Sequence, residues 1–288
     1  QLFFGRGIVA TPEDFGTQGE LPTHPELLDW LAIHFRETGW DWRALCREIV
    51  LSSTYRQSTL PKNPVALAED PENRWLGRGP RQRLSAEQLR DQALSVAGLL
   101  SREIGGPSVK PYQPHGIWEE SGTQHTYRPD TGVGLYRRSL YTFWRRTMPP
   151  ANLAIFDAPS REYCQMRRVV TSTPQQLLAI LNDVQFVEAS RCLAENLVAA
   201  HPDADTDRAA DAFRRLTGLD PDAGMTDRLA EFIKADRAEF SREPERAKDL
   251  IAHSGSAPTR ADLDPVEVAA TTAMVRALFA YDGAMSKR

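Results

Sequence analysis

A mainly α-helical, irregular fold with one small β element and long loops is what this sequence predicts, on three observations. Capping patterns of the Ser/Thr-x-x-Glu/Gln type stand before apolar residues spaced three and four apart, at Thr23, Ser85 and Thr173. One run, Ser139-Leu140-Tyr141-Thr142-Phe143-Trp144, has the aromatic character of a strand. From residue 203 onward the chain turns Ala-, Asp- and Arg-rich and reads as three or four amphipathic helices.

The first helix opens at Thr23-His24-Pro25-Glu26, with Thr23 as cap, Pro25 in the first turn and Glu26 completing the box. Leu27, Leu28, Leu31 and Phe35 follow at helical spacing until Gly39 stops the run. Asp41 caps a second helix with Trp42, Leu45 and Ile49 on one face, so the two form a helical hairpin. Pro61, Pro64 and Pro71 make 58–82 an irregular connection. Ser85-Ala86-Glu87-Gln88 opens a third helix, striped by Leu89, Ala93, Val96 and Leu100 and ended by Gly105-Gly106-Pro107.

Residues 105–135 lose all periodicity, with Tyr112, Trp118 and Tyr127 among polar residues; a loop this long is usually functional or mobile. The strand at 139–144 alternates poorly, which suits burial on both faces. Pro149-Pro150 starts a short helical turn through Ala154, Ile155 and Phe156. Thr173-Pro174-Gln175-Gln176 opens a helix that runs, with a bend, past Asn182-Asp183 toward Leu197. Helices at 208–216, 226–240, 244–252 and 265–279 complete the chain, so residues 1–200 form a main body and 203–288 an acidic helical subdomain of the same module.

At 288 residues, with 41% hydrophobic and 26% charged, the chain can bury a real core, which excludes disorder along its whole length. No stretch approaches the roughly 18 consecutive apolar residues of a membrane span. A net charge of −4 argues against a nucleic-acid partner, which would require many phosphates to be neutralised. That sum conceals a division: residues 71–170 hold 15 basic and 9 acidic side chains, whereas 171–288 hold 14 and 20. The basic residues are mostly arginine, whose planar fork of donors suits carboxylate, phosphate and sulfate.

Cys46, Cys164 and Cys192 form no C-x-x-C-H or paired C-x-x-C pattern, so no c-type haem or zinc ribbon is encoded, and buried reduced thiols are expected. Gly5-Arg6-Gly7 lacks both phosphate-loop and dinucleotide spacings, and neither G-x-S-x-G nor H-E-x-x-H occurs. No cofactor and no metal site is assigned to this chain. It opens Gln1-Leu2-Phe3-Phe4 with neither Met nor a signal-peptide series, as expected of a piece of a longer protein.

One series of blocks is recognisable. Phe4-Gly5-Arg6-Gly7-Ile8-Val9, Thr11-Pro12-Glu13-Asp14-Phe15-Gly16 and Gly19-Glu20-Leu21-Pro22-Thr23-His24-Pro25-Glu26 come first, then Ser53-Thr54-Tyr55-Arg56-Gln57-Ser58 and Asp70-Pro71-Glu72-Asn73-Arg74. Arg83-Leu84-Ser85-Ala86-Glu87, Arg137-Arg138-Ser139-Leu140-Tyr141, Phe156-Asp157-Ala158-Pro159-Ser160-Arg161-Glu162 and the stretch from Thr171 to Asp183 continue it. Residues 4 to about 198 thereby resemble the C-terminal domain of unknown function of large planctomycete and verrucomicrobial envelope proteins, many of which also carry a planctomycete cytochrome c domain. The family pattern starts slightly upstream of residue 1, and its helical C-terminal part is matched only loosely, by 214–232. The resemblance implies a mainly helical domain, a place in the cell envelope (periplasmic or extracellular), partners among other domains of the same full-length protein, and haem, if any, in a domain outside this chain. It implies no reaction.

Two sets of residues are candidates for a site. Arg137, Arg138, Arg145, Arg146, Arg161, Arg167 and Arg168 crowd around the expected strand, where Tyr141 or Trp144 between them would complete a groove for an anionic polysaccharide or an anionic redox partner. Alternatively they pair with Asp157, Glu162 and neighbouring acids to hold loops together. The second set is Asp14, His24 and Glu26 with His115 and His125 from the long loop, an acid and imidazole collection that would serve hydrolytic or redox chemistry. Its bland alternative is helix capping and solvation. Cys164 stands near Arg167 and Arg168, a basic setting that would favour the thiolate. On balance the sequence predicts a non-catalytic accessory or interaction module binding an anionic ligand or partner, with an enzyme as the rival.

Overall fold

The computed structural model describes residues 1–59, 64–120 and 126–287. Among them are thirteen α-helices, two short 3-10 turns and one two-stranded antiparallel ribbon. The chain divides into two compact units: Gln1–Arg83 with Gln165–Arg167 and the C-terminal strand, and Leu84–Cys164 with Arg168–Met285. The composition change at 203 lies inside the second unit.

In the first unit, α1 (Pro25–Glu37) and α2 (Trp42–Leu51) form the expected hairpin. The turn between them uses left-handed backbone at Gly39 and Trp40. Asp41 caps α2 as expected, accepting from Arg43 N at 2.9 Å and Ala44 N at 3.1 Å. Thr23 does not cap α1. His24 occupies the cap position without a side-chain capping bond, and the Thr23 hydroxyl donates to Ile8 O at 3.2 Å and lies 2.9 Å from His24 Nδ1. Trp42 is 62% exposed rather than packed, with the Arg43 guanidinium over its ring. The connection at 58–82 contains α3 (Pro64–Glu69) and ends in β1 (Gln82–Arg83), which pairs antiparallel with β2 (Ser286–Lys287). Lys287 Nζ donates to Phe3 O at 3.0 Å and sits 3.7 Å from the Tyr55 ring centre.

In the second unit, α4 (Ala86–Val96) has the expected capping box at Ser85 and Gln88. It ends earlier than the apolar stripe implies. Gly98, at φ +77, turns the chain so that Leu99 N reaches back to Leu94 O at 2.8 Å. The long loop contains α5 (Ile117–Glu120) and a 3-10 turn at Gly132–Tyr136. Where a strand was expected at 139–144 there is a second 3-10 turn, Ser139–Tyr141, flanked by isolated bridges between Ser101 and Arg137 and between Val109 and Thr142. The physical reason lies on α4, where the buried Arg90 guanidinium claims Leu135 O at 2.7 Å, Arg137 O at 2.8 Å and the Ser139 hydroxyl at 3.2 Å. Those groups tie the entry of the run to α4, and within it Tyr141 O and Phe143 N pair with Val109 in an isolated bridge rather than a strand.

Next, α6 (Ala151–Ala154) follows Pro150, and α7 (Pro174–Asn182) follows the Thr173 capping box. The expected bend is Asp183, whose backbone leaves the helical region and whose carboxylate caps α8 (Val184–Ala200) at Gln185 N, 2.9 Å away. Then come α9 (Asp205–Thr217), α10 (Ala223–Arg242), α11 (Pro244–Ala252), α12 (Pro265–Phe279) and α13 (Asp282–Met285). The centre is α8 against α12: Ala189, Leu193 and Leu197 meet Ala270, Met274, Val275 and Leu278, with Ile233 of α10 and Ala212 and Leu216 of α9 closing the sides. Phe156, Phe186 and Phe279 join in two edge-to-face contacts.

Buried charge runs through this core. Arg191 is fully buried and donates to Glu195 Oε1 at 2.8 Å and Ala257 O at 2.7 Å. Arg208, equally buried, meets Glu267 Oε2 at 2.5 Å, and Arg237 bridges Asp205 and Glu267. Glu188 accepts on one oxygen from Tyr136 Oη at 3.0 Å, Tyr112 Oη at 3.1 Å and Ala257 N at 2.6 Å. Gly255, at φ +105, passes so close to that carboxylate that a Cβ there would lie 2.4 Å from Glu188 Oε1.

Candidate functional site

The basic region is organised from α4 outward. Arg90, driven down to about 10 by burial, fixes the 135–139 backbone from inside. Arg137 then points into the protein rather than out of it. It is 5% exposed, donates to Pro107 O at 3.0 Å and to Gly105 O, and lies 4.0 Å from the Tyr141 ring centre. Arg138 and Arg168 reach carboxylates one turn apart on α4, Asp91 at 3.4 Å and Glu87 at 2.6 Å. Burial pushes the Glu87 carboxyl up, but the Arg168 hydrogen bond and charge, together with hydrogen bonds from its own backbone N–H and Ser85, outweigh it and leave the group below its usual range. Both guanidiniums remain about half exposed.

The remaining arginines lie against aromatic rings or at the surface. Arg145 sits 4.9 Å from the Trp118 ring centre and Arg161 sits 4.3 Å from that of Trp144. The adjacent residues 144 and 145 thus contribute a ring to one contact and a cation to the other. Trp118 also packs on Tyr127 and Phe143, and Lys110 Nζ approaches both Trp118 and Phe143 at about 5.5 Å. Arg146 and Arg161 are exposed in the second unit; Arg167 is exposed and belongs to the first. Of the acids that the sequence offered as partners, Asp157 is engaged elsewhere. Asp157 accepts from Thr171 N at 2.7 Å and from the Gln176 amide at 3.3 Å, joining the cap of α7.

The second set is dispersed. Asp14 and Glu26 are exposed, and Asp14 Oδ1 accepts from Gly16 N at 2.7 Å within its own turn. His24 lines a cavity of the first unit, while His115 is exposed on the second and His125 lies outside the described residues. Among the described residues no three His, Cys, Asp or Glu side chains converge as a metal site. Cys164 is exposed rather than buried, Cys46 is partly covered, and burial pushes the Cys192 thiol up to about 12.

Sequence reasoning missed Arg90, since an arginine inside an amphipathic helix reads as a solvated face until the segment across from it is placed. It also passed over Trp30 and Trp75, whose shared cavity joins residues more than forty positions apart. Asn-Arg-Trp-Leu-Gly, with a tryptophan in a polar, proline-flanked segment, was the available signal.

These features define a mainly helical protein with a small antiparallel ribbon and a region where arginines lie against indole rings. Residues 1–233 match PSD1, a family described as a protein of unknown function (DUF1553), and the chain belongs to that family. No match was found among curated proteins or among solved structures. No helix among the described residues is long and apolar enough to cross a membrane.

Proposed function

We propose that this chain is a non-catalytic interaction module that binds an anionic partner, a sulfated or carboxylated polysaccharide or an acidic protein face, through Arg138, Arg145, Arg146, Arg161 and Arg168. The supporting observation is the pair of contacts Arg145/Trp118 and Arg161/Trp144, in which the indole ring centre lies 4.9 Å and 4.3 Å, respectively, from the guanidinium carbon and restrains it before any anion arrives. Arg137 has the different role of fastening the 103–107 loop by its carbonyls. The family resemblance supports an envelope setting, other domains of a longer protein as partners, and haem only in such a domain.

Retention on a sulfated-glycan column tests this reading. The triple variant Arg145→Gln, Arg146→Gln, Arg161→Gln is expected to elute at clearly lower salt than the parent, since exposed ion contacts are screened by salt. Unchanged elution from a variant with unaltered circular dichroism overturns it.

A further inference from the structure

The first unit contains a cavity of 560 Å³ bounded by the N-terminal segment, the α1–α2 hairpin and the 73–76 loop. That is within the range of small-molecule sites, roughly 300 to 1,000 Å³. Its walls include Phe4, Ile8, Leu27, Trp30, Leu31 and Trp75. Trp30 is 55% exposed and Trp75 67%, so both indoles border the cavity without being consumed by packing.

Several polar groups on the same walls are already engaged, although Arg6 Nε is buried without a partner among the described residues. Glu48 receives His34 Nε2 at 2.9 Å, and Trp30 stacks on that imidazole at 4.7 Å. Arg6 bonds Glu20 and Glu72. Thr23 and Ser52 donate to the carbonyls of Ile8 and Ile49. Asn73 closes on Arg78 through both ends of its amide, at 2.8 Å and 3.2 Å.

The wall that carries Trp75 is rigidly built. The buried Asp70 carboxylate accepts from Arg74 N and Trp75 N, Gln57 donates to Leu76 O at 2.9 Å, and Leu76 is held at φ +54, a conformation that a branched aliphatic residue adopts only when its surroundings impose it. An arrangement this constrained does not collapse to fill the space beside it.

We propose that this cavity is a binding site for a small, uncharged, predominantly apolar molecule that lies against Trp30 and Trp75. Charged ligands are disfavoured because they would lose water against walls whose Glu48, Thr23 and Ser52 are already partnered, with the buried Arg6 Nε left as a donor for a single acceptor. This site is independent of the arginine surface, so either reading can fail without the other.

The test is a fluorescence titration of the whole chain with the uncharged probe N-phenyl-1-naphthylamine. One saturable site is expected, with affinity reduced about tenfold in Trp75→Ala. Leu31→Glu, which places a charge in the wall, should abolish binding. Because Trp75 is exposed, its variant should keep the parent circular dichroism and urea transition. Ile104→Ala, an exposed apolar side chain of the second unit, serves as the control and should bind as the parent does. Absence of saturable binding, or equal affinity in Trp75→Ala and Ile104→Ala, overturns the proposal.

Discussion

The two units bury apolar surface very differently. In the first, neither α1 nor α2 has a single fully buried residue, and Leu27, Trp30, Ile33 and Trp42 all stay more than a third exposed. In the second, α8 alone buries Phe186, Ala189, Leu193, Ala194, Leu197 and Val198, and even takes Arg191 and Glu188 inside. Burial of apolar area is the main favourable term in folding, so the second unit holds most of the chain's stability, while the first retains apolar walls available for a ligand. Charge follows the same division. The ion pairs of Arg6 in the first unit are surface pairs, whereas Arg191 and Arg208 in the second are desolvated and hydrogen-bonded to carboxylates and carbonyls, with Arg191 Nε left unpartnered among the described residues.

The sharpest way to break this comparison is to remove one member of a buried pair. Glu195→Ala leaves the Arg191 charge inside the core and should cost about 3 to 5 kcal/mol in urea denaturation, whereas Arg6→Ala should cost about 1 kcal/mol or less. Equal losses would mean that the two units share their stability evenly. A cavity is the next largest effect. Leu193→Ala in α8 is expected to cost about 2 to 5 kcal/mol, and Leu45→Ala in α2, which is only partly covered, less than half as much.

Removal of a helix cap is smaller. Thr173→Ala should cost about 1 kcal/mol by abolishing the capping box of α7, and Asp41→Ala should lower the protection of α2 amides in hydrogen exchange without moving the global transition. The smallest effect is a pH dependence. The Arg237 hydrogen bond holds Asp205 below its usual range; burial raises Glu267, but Arg237 and Arg208 outweigh it and leave that carboxyl lowered too. Depressed carboxylates contribute stability above their unfolded values near 4, and that contribution is lost as pH falls through the lower folded values. Melting temperature should therefore decline below about pH 4, and Asp205→Asn should flatten that decline. An identical acid limb in the variant would assign the decline to other groups.

Much of the second unit was legible from local chemistry. Ser85-x-x-Gln88 and Thr173-x-x-Gln176 both form reciprocal boxes, and the helices at Pro244–Ala252 and Pro265–Phe279 fall on their sequence boundaries. Such signals act within one turn, so no distant residue can easily cancel them. The failures are positions where a distant group competes. Thr23 had the right spacing to cap α1, but its hydroxyl donates to Ile8 O and His24 takes the cap position. The 139–144 run had strand composition, but Arg90 claimed the Leu135 and Arg137 carbonyls just before it and the Ser139 hydroxyl at its start. For the site, the sequence located the arginines and the aromatic residues among them, yet Arg137 turned inward while Arg145 and Arg161 settled on indole rings.

By itself, then, the sequence determined a helical chain, the places where most helices begin, and a basic middle followed by an acidic tail. These follow from capping bonds, 3.6-residue periodicity and charge count, all of which are local or additive. Only the tertiary structure decided which arginines face solvent, which are buried against carbonyls, and that two tryptophans 45 positions apart border one cavity. Those outcomes depend on which groups meet across the fold, where burial makes a single hydrogen-bond partner worth more than any propensity along the chain.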